Sequence, residues 1–81
     1  MKCFVYRSPR KPGAFLFIAS KGDFTELPDS LLALFGEPVF SFEFILTIDR
    51  ELKIGDAKEV LKQITEQGFY LQLPFEEKEV S

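Results

Sequence analysis

Between Val39 and Ile48 the chain reads VFSFEFILTI, and this segment constrains the fold more than any other. Phe40, Phe42, Phe44, Leu46 and Ile48 recur at period two, the spacing that puts them on one face of a strand. Val39, Ser41, Glu43, Ile45 and Thr47 fall on the other face, which is mixed and expected to be partly wet. A strand with an aromatic face needs partner strands and a covering layer to bury it. The 81 residues supply those once only, because two domains would each be too small to build a core. Ten Phe fill a small core efficiently, so Phe40, Phe42 and Phe44 are expected in the core. On that reading Phe42→Ala costs roughly 3–5 kcal/mol.

The remaining elements follow from periodicity and breakers. Lys2 to Ser8 reads as a strand, stopped by Pro9, Pro12 and Gly13. Ala14 to Ser20 (AFLFIAS) is apolar at both parities, which suggests a strand covered on both faces. The short loop between the two predicts an antiparallel hairpin with Arg10 and Lys11 at its tip. A helix is expected with Pro28 near its first position and Gly36 at its end, with Asp29 in the first turn and Leu31, Leu32, Leu34 and Phe35 on the buried side. A second helix is capped by Asp56, with Glu59 three residues on. Its apolar stripe is Ala57, Val60, Leu61 and Ile64, its wet side Lys58, Glu59, Lys62, Gln63 and Glu66, and it ends at Gly68. Phe69 to Leu73 is a last strand before Pro74. The order is β-β-α-β-α-β, an α+β fold with a four-stranded, largely antiparallel sheet packed with two helices. The stretch from Val39 to Leu73 is expected to form a right-handed crossover, between adjacent strands or skipping one.

Absences narrow the function. There is no His and one Cys, Cys3, so no His-based acid–base pair, disulfide or thiolate metal cluster can be assembled within the chain. No phosphate-cradling glycine motif occurs. The chain is therefore expected not to be an enzyme, with no catalytic residue, cofactor or metal. No apolar run is long enough to span a membrane, and no secretory signal pattern opens the chain. One unpaired Cys suits a reducing cytoplasm, the expected location. The net charge is −3 but unevenly spread: residues 1–22 hold Lys2, Arg7, Arg10, Lys11 and Lys21 and no acid, while all 13 acids follow.

The residues resemble a known family. Cys3-Phe-Val-Tyr-Arg-Ser8, the Asp23-Phe24 turn, the Leu27-Pro28, Leu31-Leu32 and Phe35-Gly36-Glu-Pro38 blocks and the ending Gly68-Phe-Tyr-Leu-Gln-Leu-Pro74 resemble the YcgL family of small bacterial proteins. The likeness runs from Lys2 to Pro74. It implies an α/β/α sandwich around a four-stranded, largely antiparallel sheet, and it brings no assigned activity and no catalytic residues. Some members are encoded beside a ribonuclease D gene, a pointer toward RNA biology. Longer members continue past the proline with residues that add a helix; here an acidic segment follows, so a third layer built on that extension is not expected. The domain is accordingly drawn as 1–74, with 75–81 an acidic tail expected to fray.

Four sets of residues are candidates. Arg7, Arg10, Lys11 and Lys21 form a basic set suited to phosphate or single-stranded nucleic acid, with Tyr6 or Phe15 as a stacking ring. The bland alternative is a solvated hairpin tip that guards a sheet edge. Tyr70 and Gln72, with Ser41, Glu43 and Thr47, would give a polar, partly aromatic sheet face for a partner, unless a helix covers it. Cys3 is expected to be inert core. Asp49, Glu51 and Asp56 are oxygen ligands without a known metal spacing, so no metal is expected. The leading expectation is a monomeric, non-enzymatic interaction or regulatory module that binds another protein through a sheet face or edge. The alternative is a weak RNA- or DNA-binding domain using the basic hairpin.

Overall fold

The computed structural model describes residues 1–47 and 57–73. Four strands and two helices follow one another: β1 (Lys2–Arg7), β2 (Phe15–Ile18), α1 (Asp29–Phe35), β3 (Val39–Ile45), α2 (Ala57–Gln67) and β4 (Phe69–Gln72). The strands form one sheet in the order β3-β1-β2-β4, and every neighbouring pair is antiparallel. The fold is α+β.

The central strands bury both faces, as the unbroken apolar run of β2 requires. Cys3 and Val5 of β1 and Phe17 of β2 meet Ala57, Val60 and Ile64 of α2, together with Leu46. Tyr6, Leu16 and Ile18 point the other way, onto Leu27 and Phe35. A helix thus covers each face of the sheet, in three layers built wholly from residues before Pro74. The third layer is α2 and needs no extension beyond the sheet.

Three expectations are corrected here. The connection from β3 through α2 to β4 is not a parallel crossover. β3 and β4 run in opposite directions at opposite margins, so the chain passes both central strands and lays α2 over β2 and β4. The phenylalanine stripe of β3 is also split. Val5 lies opposite Phe42 but Tyr6 lies opposite Phe40, which leaves Ser41 as the extra residue of a bulge. The bulge turns Phe40 to the α1 face while Phe42 and Phe44 stay on the α2 face. Because α2 sits over the far strands, Phe42 remains 46% exposed; Phe40, on the α1 face, is 41% exposed. Phe42 is therefore not a core residue, and the large loss expected for Phe42→Ala does not apply. Finally, Leu34 of α1 is 64% exposed rather than buried.

The helix ends follow local chemistry. Pro28, expected near the first position, is the N-cap of α1, with extended backbone at φ −64° and ψ 149°. Gly36 ends α1 and donates its N–H to the Leu32 carbonyl at 2.8 Å. The α2 stripe is as expected, with Ala57, Val60 and Ile64 buried. Asp56, the Asp49–Glu51–Asp56 set and residues 75–81 lie outside the described residues.

Candidate functional site

The most site-like feature is a hollow of about 440 Å³ on the α1 face, lined by Arg10, Phe24, Leu32, Ala33, Gly36, Glu37 and Pro38. Three segments build it: the β1–β2 hairpin loop, the loop between β2 and α1, and the exit of α1. Ser8 ties two of them together. Its buried hydroxyl donates to the Phe35 carbonyl at the end of α1 and accepts the N–H groups of Arg10 at 3.2 Å and Lys11 at 2.8 Å. The hairpin tip is thus fastened to the helix rather than waving in solvent. Removing that hydroxyl strands a buried carbonyl and frees two loop N–H groups at once. Ser8→Ala is expected to lower stability by about 2 kcal/mol, read from urea melts; a loss below about 0.5 kcal/mol means water replaces the hydroxyl without cost.

The second wall is held by an aromatic chain. Phe24 packs edge-on against Tyr6 with ring centroids 5.0 Å apart, and Tyr6 packs edge-on against Phe40 at 5.6 Å. The Tyr6 hydroxyl accepts the Gly22 N–H at 2.8 Å, which fixes the loop over the sheet. One turn further, Asp23 accepts the Thr25 hydroxyl at 2.6 Å and its N–H at 3.1 Å, and these bonds hold its carboxyl below the usual range. Lys21 caps the row, its ammonium 4.5 Å above the Phe40 ring.

The four basic residues do not form one patch. Arg10 lines the hollow, and Lys21 sits on Phe40 at the other end of the aromatic row. Lys11 lies on the far side of the hairpin tip, beside Leu31, Leu34 and Leu73. Arg7, opposite Phe15 and Val39 in the register, belongs to the α2 face. Tyr70 and Gln72 are both half-buried. The Tyr70 ring packs edge-on against Phe17 at 5.6 Å on the α2 face, and its hydroxyl donates to the Gln72 side chain at 3.1 Å. Over β2 and β4 that face is covered by α2, so Tyr70 and Gln72 do not stand on an open platform. Cys3 is fully buried, and burial pushes its thiol up to about 11 despite the nearby N-terminal ammonium, so it is no ready nucleophile. Among the described residues no cluster of His, Cys, Asp or Glu is placed to hold a metal ion.

Sequence reasoning passed over Ser8, Phe24 and Gly36. Only Ser8 carried a usable signal, since Ser at the start of a Pro- and Gly-containing turn commonly bonds the following backbone.

The YcgL domain profile matches residues 3–75. The chain belongs to the YcgL family. A YcgL domain-containing protein of Stutzerimonas stutzeri is 42% identical over 77 residues, covering 95% of this chain and 79% of the relative. One from Actinobacillus succinogenes is 46% identical over 74 residues, covering 91% and 83%, and one from Thioalkalivibrio sulfidiphilus is 43% identical over 74 residues, covering 91% of each. This YcgL domain is thus a small bacterial α+β domain. No helix among its described residues is long and apolar enough to cross a membrane.

Proposed function

We propose that this YcgL domain is a non-catalytic protein-interaction module of the cytoplasm that docks its partner on the β3 margin of the sheet. The observation that carries the reading is the exposure of Phe40 and Phe42, one on each face of an outer strand. Edge strands are normally guarded by charge, and on β3 the exposed ion pair of Lys2 with Glu43 at 3.4 Å lies beyond Phe42 along the strand, leaving the two rings partly open to solvent. Aromatic rings at a rim of this kind supply contact area at low entropic cost, as protein interfaces use them. The nucleic-acid reading is less well supported, because the cations are divided between the two faces and the chain carries −3 overall.

A photo-crosslinking residue placed at position 42 or 40 in the native host cell tests this, with position 62 on α2 as control. A discrete protein adduct at 42 and 40, absent at 62, unaffected by nuclease and high salt and lost at least tenfold in Phe40→Ser/Phe42→Ser, is the expected result. No protein adduct at either position overturns the proposal. So does an adduct that disappears with nuclease and with Arg10→Glu/Lys11→Glu, which transfers the role to the basic hairpin.

A further inference from the structure

We infer that the hollow beside α1 is a binding site for a carboxylate carried on an apolar body, with Arg10 as its anion donor. This is independent of the β3 margin. Arg10 is held in place before any ligand arrives. Its N–H is bonded to Ser8, and its stem lies against Gly36 so closely that a Cβ there would come within 2.8 Å of the Arg10 Cγ and 3.1 Å of its Cδ. Glycine at position 36 is what lets the stem rest there. The guanidinium makes no ion pair among the described residues and offers five donors in a flat fork that matches a carboxylate.

The rest of the lining selects among anions. Phe24, Leu32, Ala33 and Pro38 give an apolar floor, which favours an acid with an aromatic or branched body over a hydrated inorganic ion. Glu37 is the other charge in the lining. Its carboxylate repels a dianion or polyphosphate more than a single carboxylate, so it disfavours nucleotides. The volume of about 440 Å³ lies in the range of small-ligand sites and accommodates one such group. The carboxylate can come from a free acid or from an acidic residue beside an apolar one in a peptide, and the two arms of the test separate them.

The test is an amide NMR titration of the full chain with N-acetyl-L-phenylalanine, with its neutral carboxamide, with the capped peptide acetyl-Phe-Glu-amide, and with inorganic phosphate. The expected result is a saturable shift of the Arg10, Phe24 and Gly36 resonances, in the low-millimolar range, for the acid, the peptide or both. The carboxamide and phosphate produce none. Saturation by the free acid alone names a small molecule as the source; saturation by the peptide alone names a partner chain. Arg10→Gln, with its spectrum still dispersed, abolishes the shift, and Glu37→Gln tightens binding by about threefold, a change a merely structural Glu37 would not produce. Absence of saturable shifts with both carboxylates to about 20 mM, equal binding of the carboxamide, or weaker binding in Glu37→Gln each overturns the inference.

Discussion

Phe17→Ala is expected to remove about 3–5 kcal/mol of stability, while Phe42→Ala, in the next strand but one, removes about 1 kcal/mol or less. Both side chains lie on the α2 face, and burial separates them. Phe17 is 1% exposed in a central strand, with Phe44 and Tyr70 edge-on to its ring at 6.3 and 5.6 Å. Truncating it empties the space between the sheet and α2. Phe42 is 46% exposed, and its ring neighbour is Phe44, tilted at 6.0 Å. A domain of this size has only several kcal/mol to lose, so Phe17→Ala leaves a substantially unfolded population and Phe42→Ala does not. Urea melts at constant slope read both. A Phe42→Ala loss above about 2 kcal/mol would place that ring under cover in solution. If its midpoint then rose with protein concentration, the cover would be a second copy, and the margin would be a self-association surface.

The same two residues show where sequence reading reaches its limit. The strands and helices were legible because Pro and Gly bracket them and because AFLFIAS is apolar at both parities, which only a doubly covered strand tolerates. Which way each phenylalanine of β3 faces was not legible. Period-two counting assumes an unbroken ladder, and one bulged residue, Ser41, puts Phe40 on the opposite face from Phe42 and Phe44. Strand order was hidden for a related reason, since an α2 connection of this length reaches a neighbouring strand or the far margin equally well. At the site, the four cations could be named, but their directions could not. Arg7 and Lys21 part company because they lie on opposite faces, and Arg10 gains its position from a buried Ser8 hydroxyl and a bare Gly36, neither of which charge patterning reveals.

Gly36→Ala is the second large effect, with an expected loss of about 2–3 kcal/mol. Gly36 adopts φ 84° and ψ −175°, a combination that side-chain-bearing residues avoid. Its absent side chain is also needed, because an added Cβ would meet Arg10 at 2.8 Å and the Pro9 Cγ at 3.2 Å. Gly22 provides the contrast. Its φ is +77°, but nothing lies within 4 Å of where a Cβ would go, so Gly22→Ala is expected to cost about 1 kcal/mol, the backbone share alone. The crowding share at Gly36 can be isolated in a double-mutant cycle with Arg10→Ala. Truncating Arg10 removes the two closest atoms, so Gly36→Ala should become cheaper by about 1 kcal/mol in that background, while the backbone strain and the Pro9 contact persist. An unchanged cost would mean that the Arg10 stem does not rest on Gly36 in solution. Arg10 would then lose the support that holds its stem beside the hollow, and carboxylate binding there would have to tolerate Gly36→Ala. If the coupling is present, the same substitution displaces Arg10 and weakens N-acetyl-L-phenylalanine binding alongside stability, because one backbone position serves both.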